Sequence, residues 1–159
     1  MATTADQTYV TRVSVAREHP PVRVATMEAT GDRITFGMPT WQSAFYKMPE
    51  DGPQAAHPGT WDYLLASVAS CLTGTLGTAL TARGIQSDGD RLTSTAEADI
   101  EVDDGILVMK RIRVQYRLKG APDDKRAAAE RAHAVHARGC GLARTLEGAV
   151  EITTAIEFL

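Results

Sequence analysis

Two cysteines and four histidines are the residues of this 159-residue sequence that carry the most reactive side chains. Cys71 and Cys140 stand 69 positions apart, so they form no C-x-x-C pair, and two cysteines make no disulfide framework. A thiol reacts as its thiolate, and Cys71 sits deep in an uncharged helical stretch, beyond the helix dipole. To be a nucleophile it needs a cation delivered from elsewhere in the fold; otherwise it is a small buried hydrophobe with a raised pKa. Cys140 follows a helix-ending glycine in Ala137-Arg138-Gly139-Cys140-Gly141, beside a basic residue and open to approach. His133, His136 and Cys140 make an H-x2-H-x3-C spacing on one helix face, which reads either as three zinc ligands or as ordinary helix histidines. No fourth ligand is evident, and neither a metal nor another cofactor is expected. His57, in a proline-rich loop, is a candidate base or ligand. Gly74 and Gly77 match no phosphate loop, because no strand and no GK[ST] accompany them.

The elements that must position these residues follow from patterning. Residues 8–17 and 22–28 are rich in strand formers and are separated by His19-Pro20-Pro21, which marks a turn; a short strand at 34–36 comes next. Residues 47–59, with Pro49, Pro53 and Pro58, form a surface loop leading into a long helix at about 60–83. Thr60 is its expected N-cap, Asp62 sits near its positive end, and Arg83-Gly84 stops it. Residues 92–118 alternate as a hairpin, with Leu92, Ala96, Ala98, Ile100 and Val102 facing Ile106, Val108, Ile112, Val114, Tyr116 and Leu118. For even residues to pair with even ones, a three-residue loop Asp103-Asp104-Gly105 is expected, setting Val102 opposite Ile106 and Glu97 opposite Arg111. A helix at 122–138 starts on Pro122-Asp123-Asp124, and 150–158 closes the chain as a strand. The order predicts a single α+β domain over residues 1–159 with antiparallel sheet.

Charge and composition exclude several classes. Seventeen Lys and Arg against 20 Asp and Glu give a net charge of −3, with no global drive toward nucleic acid or anionic membrane. The basic row Arg111, Arg113, Arg117 reads as a solvated face paired with the acids of the facing strand. The N-terminus lacks a basic stretch followed by an apolar core, so no signal peptide is expected. Residues 63–82 carry no charge over a length that would span a membrane, but they are rich in Ser and Thr with two glycines. A buried central helix of a cytoplasmic protein is the expectation, with the small residues as a close-packing stripe.

Two segments resemble the OsmC/Ohr family. Gly59-Thr60-Trp61-Asp62-Tyr63-Leu64-Leu65-Ala66-Ser67-Val68-Ala69-Ser70-Cys71 is similar to its "P-x-E-L-L-x-A-x-x-x-C" segment, which opens a long central helix. His136-Ala137-Arg138-Gly139-Cys140, followed by Arg144-Thr145-Leu146-Glu147-Gly148-Ala149-Val150-Glu151-Ile152, is similar to its "H-x-x-C-P-x-x-x-T-L-x-x-x-V-x-I" close. The likeness covers roughly residues 8–158. It implies an OsmC-like fold in an intertwined homodimer, with two long helices packed centrally and strands exchanged. It also implies thiol peroxidase chemistry on organic hydroperoxides, with Cys71 as the attacking thiolate, Cys140 as the resolving partner and a dithiol or thiol-protein as reductant.

Departures from the pattern are specific. Trp61 stands where the peroxidase motif has Glu, and Asp62 takes the register of less characterised OsmC-like branches. Nine residues of ideal helix is about 900° of rotation, so Asp62 would face away from Cys71. No Arg occurs between Ile34 and Ala82, where one branch carries its activating cation; Arg17 matches the other branch best, with Arg33 and Lys47 behind it. Gly141 replaces the usual Pro. The resemblance thus assigns Cys71, Cys140, Arg17 and Asp62 to catalysis, while Trp41, Phe45, Tyr46 and Trp61 line a substrate pocket, a binding surface or the dimer core. The alternative is an OsmC-like dimer that binds an apolar ligand or a protein partner without turnover.

Overall fold

The computed structural model describes residues 7–159. They gather into two compact units, one running to Asp62 and the other spanning Tyr63–Leu159.

The first unit is a three-stranded antiparallel sheet, β1 (Val13–His19), β2 (Val22–Met27) and β3 (Arg33–Phe36), followed by a short helix α1 (Thr40–Phe45) and a 3-10 turn at Pro53–Ala56. Val22, Val24 and Ala25 on the central strand are buried, whereas every residue of the edge strand β1 is exposed, including Val13 and Val15. The proline-rich loop is not free. Gly37 N–H donates to Pro58 O at 2.8 Å, Met38 N–H to Gln54 O at 3.0 Å, and Gln54 Nε2 to Pro49 O at 2.6 Å. A Cβ at Gly37 would lie 2.1 Å from Gln54 O, so only glycine lets the loop approach this closely.

Helix α2 (Thr60–Thr81) begins where its sequence pattern places it, but the capping contact differs from the expected one. Asp62 Oδ2 accepts the N–H of Gly59 at 2.7 Å, the reach-back half of a capping box, so Asp62 rather than Thr60 satisfies the helix start. At the other end Arg83 Nη1 donates to Ala79 O at 2.7 Å, and Gly84 turns the chain with φ 66°.

In the second unit β4 (Leu92–Asp103), β5 (Ile106–Leu118) and β6 (Glu151–Phe158) form a sheet in that order. Residues 119–150 carry the chain back through a 3-10 turn, α3 (Arg126–His136), a 3-10 turn at Ala137–Gly139 and α4 (Gly141–Thr145). This crossover lets β6 lie parallel to β5, with Ile112 beside Ile152 and Phe158 beside Leu118, so the expected antiparallel pairing holds for β1–β2, β2–β3 and β4–β5 but not for β6. Helix α2 lies over β4, where Thr73 Oγ1 and Ser94 Oγ are 2.8 Å apart. Val68, Leu72, Leu76 and Leu80 recur every four residues and are wholly buried, together with Ile112, Val114, Tyr116 and Leu118 of β5 and Ala129 and Ala132 of α3. Each Leu contributes roughly 1.5–3 kcal/mol of gross burial energy.

The hairpin corrects the expected register. Its loop is two residues, Asp104-Gly105, both at positive φ (49° and 78°), as a type I′ turn requires. Asp103 pairs with Ile106 and Val102 with Leu107, an odd–even register that would send the two apolar sets to opposite faces. A β-bulge between Asp99 and Ile100 repairs it, since Ile100 pairs with Met109 and Asp99 with Arg111, leaving Lys110 extra. Below the bulge Leu107 and Met109 are buried and Ile106 and Val102 exposed; above it the even residues turn inward. Glu97 therefore faces Arg113, not Arg111. The outer face is charge-paired as expected, with different partners: Arg111 and Arg113 both bond Asp99, at 2.7 and 2.8 Å. Those two guanidiniums, Arg113 first, hold the Asp99 carboxyl well below the usual carboxylate range.

Candidate active site

The two cysteines meet within the second unit. Cys71 sits midway along α2, where Thr75 Oγ1 donates to its carbonyl at 2.8 Å. This is one of four such contacts: Ser67, Thr73, Thr75 and Thr78 each bond the carbonyl four residues back. The helix thereby satisfies its polar side chains internally and keeps an uncharged surface. Cys140 arrives from the crossover. Its backbone is extended (φ −85°, ψ 116°), it caps α4, and its sulfur accepts from Ala143 N–H at 3.5 Å.

The Cys140 thiol donates to Cys71 Sγ at 3.0 Å. Cys140 is fully buried, whereas Cys71 is partly open to solvent. Their acidities diverge. The Leu142 backbone N–H, then the Cys140 thiol and the Gly141 N–H, lower the Cys71 pKa against the opposing cost of burial. Burial first, and then the bond to Cys71, raises the Cys140 pKa. The two shifts run in opposite directions, and the Cys140 thiol points at the Cys71 sulfur. A disulfide needs the sulfurs at about 2.05 Å, so about 1 Å of approach joins them.

All the groups that lower the Cys71 pKa are hydrogen-bond donors of the second unit, two of them backbone N–H groups on the first turn of α4. Arg17 belongs to the first unit, on the exposed strand β1 opposite Arg23. Asp62 is engaged by Gly59. Trp41 and Tyr46 are exposed at 45% and 46%, Phe45 packs edge-on against Tyr46 with ring centroids 5.0 Å apart, and Trp61 is half-buried on the first turn of α2. His57 is exposed in its loop.

The residues of the H-x2-H-x3-C spacing have other partners. His136 Nδ1 lies 2.6 Å from His133 O, His136 Nε2 lies 2.8 Å from Tyr116 Oη, and His133 Nε2 lies 3.0 Å from Thr154 Oγ1. The ring nitrogens of His136 are occupied, Cys140 faces Cys71, and among the described residues no three His, Cys, Asp or Glu groups converge as a metal site. Sequence reasoning missed α4, whose cap is a cysteine rather than the usual Ser, Thr, Asp or Asn. It therefore also missed the Gly141 and Leu142 amides. The i, i+4 pair Leu142 and Leu146 is the signal that marks that turn.

Comparison with known proteins agrees with this architecture. The sequence profile described as OsmC-like protein matches residues 52–155. No curated protein matches the sequence. Among solved structures, the chain is similar to an OsmC-like protein from Mycoplasma pneumoniae at 15% identity, covering 97% of this chain and 99% of that one with a TM-score of 0.70. It is similar to an OsmC-like protein of unknown function from Vibrio cholerae at 12% identity, covering 94% and 100% with a TM-score of 0.73. It is also similar to the organic hydroperoxide resistance protein OhrB of Bacillus subtilis at 14% identity, covering 94% and 98% with a TM-score of 0.66. With a profile match that takes in both cysteines and a fold shared over nearly the full length, the chain belongs to the OsmC-like protein family.

Proposed function

We propose that the protein is a thiol-dependent peroxidase that reduces organic hydroperoxides. The observation that carries this reading is the 3.0 Å contact in which Cys140 donates its proton toward Cys71, with the two acidities driven apart. The Cys71 thiolate attacks the distal oxygen of R–O–O–H. An S–O bond forms, the O–O bond breaks, and the alkoxide takes a proton from water to leave as the alcohol; the peroxide is reduced and Cys71 oxidised to a sulfenic acid. Cys140 then attacks the Cys71 sulfur. An S–S bond forms, the S–OH bond breaks, and the hydroxyl leaves with the Cys140 proton as water. An external dithiol reduces the disulfide and returns both thiols. The relative named for hydroperoxide resistance is consistent with this chemistry.

The working form is a homodimer. Its support is the surface of α2, where Ala66, Ser67, Ser70, Gly74 and Thr78 are exposed and uncharged. Only 22% of the most apolar window in the segment Pro53–Thr81 is buried, although by length and apolarity that segment would also cross a membrane. A second copy of the same helix suits that small-residue surface, and the fully exposed β1 offers strand pairing to the same partner. The exposed aromatics Trp41 and Tyr46, with Phe45 and Trp61, suit an apolar R group.

The test is a thiol titration after one equivalent of cumene hydroperoxide. Wild type should lose both thiols rapidly, Cys71→Ser should keep its remaining thiol, and Cys140→Ser should lose one to a dimedone-reactive sulfenic acid. Wild-type thiols that survive equimolar peroxide for minutes refute the reading.

A further inference from the structure

The histidines left over from the zinc spacing have a different task. A carbonyl only accepts, so His136 Nδ1 carries the proton given to His133 O at 2.6 Å. The neutral ring then has its lone pair on Nε2, and Tyr116 Oη donates to it at 2.8 Å. Burial lowers the pKa of both histidines, which keeps this tautomer neutral. Tyr116 is fully buried on β5 and His136 is 3% exposed on the last turn of α3. One turn earlier on the same helix, His133 Nε2 meets Thr154 Oγ1 of β6 at 3.0 Å. The Tyr116 and His136 rings pack edge-on at 5.3 Å, and His133 and His136 stack at 5.3 Å. The end of α3 is therefore fastened to two adjacent strands.

The chain between His136 and α4 is short and stiff. Ala137–Gly139 is a single 3-10 turn closed by Cys140 N–H on Ala137 O at 3.1 Å, and Arg144 N–H on Cys140 O at 3.1 Å starts α4. Cys140 is thus only four positions beyond the fastened ring, and the Gly141 and Leu142 amides come directly after it. We propose that the Tyr116–His136 and Thr154–His133 hydrogen bonds are positioning contacts that hold the Gly141 and Leu142 amides and the Cys140 thiol against Cys71. Neither histidine touches the reacting sulfur; both act through the backbone that joins them to it. The inference rests on the donor set around Cys71, not on turnover of a peroxide, so it is tested without one.

The measurement is the pH profile of Cys71 alkylation by iodoacetamide, located by peptide mass spectrometry on the full chain. Tyr116→Phe leaves His136 Nε2 without its donor and should slow alkylation at pH 7 about threefold or more, with the profile displaced toward alkaline pH, as weakening a donor to a charged group does. Thr154→Val should shift it in the same direction by less. His136→Gln keeps an acceptor for Tyr116 and should stay nearer wild type than Tyr116→Phe. Ile112→Val, a core truncation on the same strand outside the network, should lower stability and leave the profile in place. A folded Tyr116→Phe protein that alkylates at the wild-type rate overturns the proposal, as does an Ile112→Val protein slowed equally. Should Tyr116→Phe not fold, an unshifted Thr154→Val profile overturns it instead. A wild-type protein without peroxidase activity whose variants still show these shifts would sink the functional reading and leave the positioning role standing.

Discussion

Gly141→Pro separates two jobs that the first turn of α4 performs. The backbone is ready for proline. Position 141 is the first helical residue, where a proline's fixed φ is favourable, and Cys140 before it is already extended (φ −85°, ψ 116°). No heavy atom lies within 4 Å of a Cβ built at Gly141, and the Thr145 Oγ1 bond to Gly141 O at 2.8 Å survives the change. Removing glycine freedom and adding a ring each restrict the unfolded chain by about 0.4–1 kcal/mol, so stability rises by about 1–2 kcal/mol. For a chain of this size that is roughly 2–8 °C in Tm. Against this, proline has no N–H to give Cys71. A full hydrogen bond to a charged group contributes at least about 1.5 kcal/mol, roughly tenfold in a thiolate population, and Gly141 is the weakest of the three donors. Alkylation of Cys71 at pH 7 should therefore slow by between about two- and tenfold while the melt moves up. A lower Tm would refute the backbone argument, and an unchanged alkylation rate would refute the role of the amide.

Three further outcomes are expected. His136 is neutral in the fold with a pKa below its unfolded value near 6.5, so the unfolded chain binds more protons and stability falls as pH drops through about 6.5. Urea midpoints at pH 7.5 and 5.5 should differ in wild type, with a limiting slope of about 1.4 kcal/mol per pH unit for this group, and the difference should shrink in His136→Gln, with half-buried His133 supplying a remainder of the same sign. Deleting Lys110 removes the extra residue yet leaves Asp99 opposite Arg111 and Ile100 opposite Met109, so Leu107, Met109 and Ile112 keep one face and the variant should stay soluble, with a urea midpoint close to that of wild type. Light scattering should find Gly74→Glu monomeric, because Gly74 is exposed on α2 with nothing within 4 Å of its Cβ; a stable dimer would remove α2 from the interface.

The elements that could be read from sequence are those whose pattern is local. The uncharged run to Ala82, bounded by Asp62 and Arg83-Gly84, yields α2 within two residues, and strict alternation yields β4 and β5. The bulge at Lys110 was not legible, because a three-residue loop, or a two-residue loop followed by a bulge, satisfies alternation until the exposure of Val102 and Ile106 is known. The same holds at the site. The cysteines stand out by type, but the groups that lower the Cys71 pKa are mostly main-chain amides, which leave no mark in composition. Tyr116 reads as one more apolar strand position until its hydroxyl meets a histidine 20 residues on.

The separation of the two cysteines along the chain has a consequence of its own. The 69 positions from Cys71 to Cys140 take in the second half of α2, the whole β4–β5 hairpin and all of α3. Once the sulfurs join, the denatured ensemble can no longer part those ends, a restriction of about 4 kcal/mol in the chain-entropy treatment. Oxidation therefore turns an open string into a closed ring, and the melting temperature of the protein becomes a reporter of its redox state.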